Sequence, residues 1–321
     1  MSSGIKSAVS SQPLVLTNEQ VAKTLTFDLL IPALARAFKE NFHSYHMAPR
    51  LTLSAGENSA LIMSCHSGSL FGVKASTLIR EPGRGPRVLR SSYSLFDGLT
   101  GDPCLFMDSD VLTDLRTAAA SAVATDALAL PQARTLGVFG TGRLARTHIA
   151  ALRQVRDFEE VLICGSSPEK SSSFAQQVTE ESGVAARAVD PGACAAASDV
   201  ICACTTSNTP LFDGSLLREG THLNLVGAFN PEHREVDTTT VQRAQVVVDS
   251  RESVLAEAGD LLIPMREKAV SGDHILADLH ELLAGKRRAR MQPTDITLFK
   301  SVGCAFEDLV AAGIVRELTG R

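Results

Sequence analysis

The chain predicts an α/β fold in two parts, an α+β region followed by a parallel sheet with helices on both faces. Three observations carry this. Between Arg50 and Met107, short apolar runs alternate with turn residues, the pattern of antiparallel hairpins. From Thr135 to Asp249, strand-like and helix-like patterns alternate, which implies parallel strands joined by crossover helices. The first of those strands runs into Gly140-Thr-Gly142-Arg-Leu-Ala145, a glycine-bearing turn that opens a helix.

Taken in order, residues 16–41 carry apolar side chains at helical spacing (Val21, Leu25, Leu29, Leu30, Leu34, Ala37, Phe38), and Thr17 and Gln20 are spaced as a capping box. Pro32 is expected to separate this segment into two helices. Strands are expected at 51–53, 60–63, 71–75, 90–96 and 104–107, with Gly and Pro clusters between them, notably Glu81-Pro-Gly-Arg-Gly-Pro86. An Ala-rich helix follows over 111–130, and Pro131 breaks it, so the first domain is read as 1–130 and the second as 131–298. In the second, strands are expected at 135–139, 160–164, 186–189, 200–204, 221–226 and 246–249, with helices at 144–155, 169–182 and 191–197. A last helical pattern, from Phe299 to Leu318, is expected to pack back on the first domain, so that 299–321 complete it.

Composition narrows the function. With 44% hydrophobic and 21% charged residues over 321, disorder and fibre are excluded. A net charge of -5 and a pI near 5.9 argue against nucleic acid or an anionic membrane as partner. The one short basic run, Lys286-Arg-Arg-Ala-Arg290, reads as a solvated loop. Met1-Ser-Ser-Gly-Ile-Lys-Ser7 lacks the apolar core of a signal peptide, and no segment has the roughly 18 uninterrupted apolar residues of a membrane span, so a cytoplasmic location is expected. The seven cysteines, at 65, 104, 164, 194, 202, 204 and 304, form no CxxC pair and show no metal-ligand spacing with histidine. They read as buried free thiols, and no metal is expected.

The glycine turn fits a pyrophosphate, and with the alternation around it marks a Rossmann-type dinucleotide domain. Gly140 allows the tight turn, Gly142 lets the backbone approach the phosphates, and Ala145 lets the helix sit close to the sheet. Backbone N–H groups from Arg143 and Leu144 onward face the anion, with Thr141 inside the turn. At the end of the second strand, Cys164-Gly-Ser-Ser-Pro-Glu-Lys170 offers no carboxylate for a ribose 2′-OH. Ser166, Ser167 and Lys170 are able to donate to a 2′-phosphate, so NADPH is the expected cofactor, with NADH as the alternative. Glu169 is either a helix-start acid or a displaced 2′-OH acceptor. Thr205 and Thr206 end an apolar strand and are expected in the cofactor groove, unless they serve only the turn. Three cations, Arg50, Lys74 and Arg116, lie among apolar or small residues, so each needs a partner if buried, either a substrate carboxylate or an internal acid.

The chain resembles the ornithine cyclodeaminase and mu-crystallin family over nearly its whole length. The resemblance rests on Arg50 after a proline, Gly72-Val-Lys74, Met107-Asp108 followed by Leu112-Thr113, Arg116-Thr-Ala-Ala-Ala-Ser-Ala122 and Gly140-Thr-Gly142. It continues through Leu225-Val-Gly-Ala-Phe-Asn-Pro-Glu-His-Arg-Glu-Val-Asp237 and Leu298-Phe-Lys-Ser-Val-Gly303. It implies a substrate and dimerisation domain with the Rossmann domain inserted, a homodimer, and chemistry at a carbon bearing an amino or imino group next to a carboxylate. By motif match, Arg50 and Lys74 hold that carboxylate, and Arg116 lies between substrate and cofactor phosphates. Gly303, Ser91 and Ser92 are expected to touch substrate, and Val226 and Ala228 the cofactor. Cyclodeaminases place an aspartate where this chain has Phe229, and phenylalanine is no base. The resemblance therefore favours the reductases of cyclic imino acids such as 1-pyrroline-2-carboxylate, with Lys74 the first candidate to donate a proton. Alternatives are alanine or N-alkyl amino acid dehydrogenation, which a carboxylate near the nicotinamide from elsewhere in the chain, for example Glu235 or Asp237, would favour, cyclodeamination, and a non-enzymatic carrier of NADPH or another ligand.

Overall fold

The computed structural model describes residues 12–80 and 88–320; the turn expected at 81–86 and the N-terminal segment 1–7 lie outside them. The first sheet begins with strand β1 (Leu14–Leu16), then helices α1 (Asn18–Thr24) and α2 (Phe27–Arg36) intervene before β2 (His46–Met47). It continues as β3 (Leu51–Ala55), β4 (Asn58–His66), β5 (Leu70–Ile79), β6 (Val88–Asp97) and β7 (Pro103–Asp108). The order is β1-β7-β6-β5-β4-β2 with β3 also on β4, antiparallel throughout except for β1 beside β7.

The capping box forms: Gln20 N donates to Thr17 Oγ1 at 3.4 Å, and Thr17 N donates to Gln20 Oε1 at 2.9 Å. Pro32 does not divide the segment. It sits inside α2, and the break falls at Leu25 and Thr26 instead. Pro32 forfeits the bond to the carbonyl of Asp28, and both residues lie on the exposed side of α2, where a lost backbone bond costs less than in the core.

Helix α3 (Asp110–Leu128) follows, buried almost continuously from Arg116 to Thr125. Its run of alanines lets it pack closely against α2 on one side and against α4 (Arg143–Leu152) on the other. The parallel sheet comprises β8 (Thr135–Phe139), β9 (Glu160–Cys164), β10 (Ala185–Ala188), β11 (Val200–Ala203), β12 (His222–Leu225), β13 (Ala244–Val248), β14 (Ile275–Asp278) and β15 (Ile296–Lys300). Its order is β10-β9-β8-β11-β12-β15-β13-β14. Helices α5 (Pro168–Ser182), α6 (Pro191–Ala197), α7 (Thr238–Arg243), α8 (Arg251–Glu257), α9 (Gly259–Arg266) and α10 (Leu279–Leu283) complete the crossovers. Alternate residues feed two cores: Leu136, Val138 and Cys202 join the core shared with α3, while Phe139, Ile201 and Leu225 join a second one on the other face.

Phe299 is not the start of a helix. It lies in β15, between β12 and β13, and the last helix, α11, runs only over Ala305–Thr319. Every residue of β15 is buried, so no period-2 alternation marks it as a strand. Helix α11 packs against α3 and the inner faces of β4 and β5. Arg290 is no solvated loop residue either: its guanidinium binds the carbonyls of Leu128 and Gly220 at 2.6 and 3.0 Å, and the hydroxyl of Thr297 at 3.0 Å. Among the described residues, no helix is long and apolar enough to cross a membrane.

Candidate active site

A cleft of about 180 Å³ opens between the inner face of the first sheet and the C-terminal ends of β8, β12 and β15. Lys74, Ser76 and Ser91 reach it from β5 and β6; Thr113, Asp114 and Arg116 from α3; Leu144, Val226, Phe229 and the 301–303 turn from the parallel sheet's side. All three cations come together there, and each has an internal acid. Lys74 Nζ lies 2.8 Å from Asp308 Oδ2 and 3.4 Å from Thr113 Oγ1. Arg116 pairs through Nη1 with Glu307 Oε2 at 2.6 Å and through Nε with Asp308 Oδ1 at 2.9 Å. Arg50 pairs with Glu257 and donates through Nη2 to the carbonyls of Val302 and Gly303, both at 2.9 Å. The turn carrying those carbonyls is tied down by buried Asp249, whose Oδ2 accepts from Ser301 Oγ, Val302 N and Gly303 N at 2.9, 2.9 and 2.7 Å. Gly303 adopts φ +78°, which favours glycine, and a Cβ there would also meet Arg116 Nη1 at 2.4 Å.

Burial sets the protonation of this cluster. Desolvation pulls the Lys74 ammonium down to about 8, with Asp308 opposing and Arg116 and Arg50 assisting. Burial would raise Asp308, but Arg116 and Lys74 outweigh it and hold the carboxyl below its usual range. Glu307 is pushed up to about 7, chiefly by burial, against the pull of Arg116. Burial also raises Asp114, in spite of Arg143 Nε 3.2 Å away.

The neighbouring turn is shaped for an anion. Gly140 adopts φ +116°, and a Cβ there would press on the carbonyl oxygen of Cys204 at 2.7 Å. Gly142 caps α4, and a Cβ built on it meets nothing within 4 Å, so the backbone presents an open approach to the free N–H groups of Arg143 and Leu144. Thr141 flanks Gly165 at the end of β9. Ser166 and Lys170 are exposed there, with Lys170 Nζ 3.3 Å from Ser166 Oγ. The residues present fit a dinucleotide.

The model of the ornithine cyclodeaminase/mu-crystallin family matches residues 11–320. The chain belongs to that family. A Delta(1)-pyrroline-2-carboxylate reductase of Colwellia psychrerythraea is 36% identical over 312 residues, which cover 94% of this chain and 98% of that protein. The ketimine reductase mu-crystallin of Macropus fuliginosus is 30% identical, covering 96% and 98%. Among solved structures, the Thermococcus litoralis Delta(1)-pyrroline-2-carboxylate reductase in complex with NADH and L-proline superposes with a TM-score of 0.89 at 33% identity, covering 95% of this chain and 96% of that one.

Within this member of the ornithine cyclodeaminase/mu-crystallin family, the geometry separates residues that the sequence left together. Ser91 is buried in the cleft wall, its Oγ 2.9 Å from Ser76 Oγ, whereas Ser92 is exposed on the opposite face of β6, because neighbours in a strand point apart. Ser167 is spent on α5: its hydroxyl accepts from Lys170 N at 3.3 Å and donates to Glu169, which lowers that carboxyl and makes it a helix-start acid. Thr205 is held by Glu235, whose Oε1 accepts from its N at 2.7 Å and its Oγ1 at 2.8 Å. Thr206 is exposed, Ala228 is buried, and Phe229 is half exposed at the cleft mouth. Neither alternative carboxylate is free: Glu235 is wholly buried and also accepts from Gly227 N at 2.7 Å, while Asp237 caps α7. Sequence reasoning passed over Glu257, Glu307, Asp308, Asp114 and Asp249. Their one signal was acids inside apolar context, as in Cys304-Ala-Phe-Glu307-Asp308-Leu-Val310, the mirror image of the signal that singled out the cations.

Proposed function

We propose that this protein reduces cyclic 2-imino acids, 1-pyrroline-2-carboxylate to L-proline and 1-piperideine-2-carboxylate to L-pipecolate, with NADPH. The observation that carries this reading is the mixture of charge in the cleft. Arg50, Lys74 and Arg116 are held by Glu257, Glu307 and Asp308, with Asp308 shared between Lys74 and Arg116, and Asp110, Asp114 and Arg143 also line the wall. Cations and acids side by side at the cleft wall suit a zwitterion, one carboxylate plus one protonated imine, better than a plain anion. Leu61, Met63, Val226 and Phe229 offer the ring an apolar wall.

A protonated imine is already an electrophile, so the chain has to orient it and exclude water rather than supply a strong base. That agrees with Phe229 at the cleft mouth and with Glu235 and Asp237 committed elsewhere. The Gly140–Gly142 turn and the N–H groups of Arg143 and Leu144 would hold NADPH, which would supply the hydride that converts the protonated C=N bond to CH–NH. Arg50 and Lys74 hold the carboxylate, Arg116 lies between substrate and cofactor phosphates, and Lys74 is also the candidate donor of the proton that keeps the imine nitrogen charged. Ser166 and Lys170, exposed beside an end of β9 without a carboxylate, favour the 2′-phosphate over a free 2′-OH. A homodimer is proposed through the outer face of the first sheet, where Phe71, Phe96 and Phe106 adjoin with ring centroids 5.8 and 6.4 Å apart and two of the three are more than a third exposed.

The test is NADPH oxidation by purified protein given 1-pyrroline-2-carboxylate, with pyruvate plus ammonia, pyruvate plus methylamine, and L-ornithine plus NAD in parallel. Rapid turnover of the cyclic imine alone is expected. Turnover only in another well moves the assignment to that reaction, and binding of NADPH without any turnover supports a carrier.

A further inference from the structure

Behind the glycine turn, three potential ligand atoms converge that the proposed chemistry does not use. Cys202 and Cys204 lie two residues apart at the end of β11, so their side chains share one face, and His148 of α4 packs against that face. Cys202 Sγ and Cys204 Sγ are 3.4 Å apart, and both lie with a His148 ring nitrogen inside 4.8 Å of one another. The sequence hid this set, because the histidine comes from a different crossover unit and only the fold closes the spacing.

The imidazole is already oriented for ligation. His148 Nδ1 is 2.7 Å from the carbonyl of Leu144, which only accepts, so Nδ1 carries the proton. The lone pair therefore sits on Nε2, beside Ser121 Oγ at 3.1 Å. A ring nitrogen fixed through a backbone carbonyl is the usual outer support of a metal-bound histidine. We propose that His148, Cys202 and Cys204 form a binding site for a thiophilic divalent cation of the zinc class, with Ser121 or a water as fourth ligand.

Charge and size both favour such an ion. Two thiolates and a neutral imidazole neutralise a dication completely, so the occupied site buries no net charge. Tetrahedral zinc with Zn–S near 2.3 Å needs sulfurs about 3.8 Å apart, so the two thiols have to part by only a few tenths of an ångström. Cys204, the one partly exposed member, marks the side of entry. The site also lies against the dinucleotide turn, since the Cys204 carbonyl is the group that crowds Gly140.

The experiment uses the full, reduced chain stripped with a chelator and titrated with Co²⁺ as the probe. The expected result is a thiolate-to-cobalt charge-transfer band that saturates at one equivalent, disappears on adding Zn²⁺, is lost in Cys204→Ser and Cys202→Ser, and persists in Cys194→Ala. In parallel, Zn²⁺ on the unmodified protein should slow maleimide labelling of Cys202 and Cys204 at least tenfold, read by peptide mass, which needs no variant to fold. Absence of the band together with unprotected thiols overturns the proposal, as does a band that survives both serine substitutions.

Discussion

Lys74 is the residue on which most of the chemistry converges, and its burial makes the account testable by pH. Its ammonium is held down to about 8, first by desolvation. If that ammonium keeps the imine protonated, the active form is the acid form, and kcat/KM must fall as pH rises through about 8. Lys74→Ala should remove that limb along with at least a hundredfold of the rate, while NADPH binding, followed by fluorescence, stays within about twofold. An unchanged turnover would take Lys74 out of the mechanism. Cofactor choice is likewise a residue-scale question. Ser166→Asp places a carboxylate where a 2′-phosphate would sit, so the ratio of kcat/KM for NADPH over NADH should fall by about tenfold or more. A ratio that does not move would show that the phosphate is read elsewhere.

Among the elements, the turn between β8 and α4 separates stability from binding. Gly140→Ala forces a side chain into positive φ and against the Cys204 carbonyl, so it should cost about 1–3 kcal/mol of stability by urea denaturation. Gly142→Ala adds a methyl to open space and should leave stability within about 0.5–1 kcal/mol while weakening NADPH binding. Equal loss of stability in both would contradict the reading of the turn as a phosphate cradle. Strand β15 makes a second test. Its Lys300 Nζ lies 2.8 Å from Asp260 Oδ2 with both side chains wholly buried, and Asp260 also accepts from Glu235 N at 2.6 Å. Asp260→Ala strands a buried ammonium and should cost about 3–5 kcal/mol, measured by the same denaturation. The glycine turn, the hairpins of the first sheet and the Thr17 cap were legible because each is a local pattern of turn chemistry or spacing. Strand β15 was not, since a short run buried on both faces has no period to read, and Lys300 breaks the apolar run with a charge whose partner is distant in the chain.

At the scale of the molecule, the site exists because the two sheets meet. Lys74 comes from one, Phe229 and the 301–303 turn from the other, and α3 and α11 bring Arg116, Glu307 and Asp308 between them. The cations were legible in the sequence as charges out of place, whereas the acids of Arg116 and Lys74 were assigned only once α11 was seen against β5 and α3, because an ion pair across 191 or 234 residues leaves no spacing to count. Assembly belongs to this scale too. If the outer aromatic face of the first sheet is an interface, sedimentation should show a dimer that Phe71→Asp together with Phe106→Asp shifts toward monomer; an unaltered dimer would place the interface elsewhere. The central claim is that the cleft orients a cyclic imine for hydride transfer from the dinucleotide. Its most direct test is reduction of 1-pyrroline-2-carboxylate with NADPH deuterated at C4 of the nicotinamide, on the transferred face, followed by mass spectrometry and chiral analysis of the product. The account predicts L-proline carrying one deuterium at Cα, and proline without deuterium, or no proline at all, would contradict it.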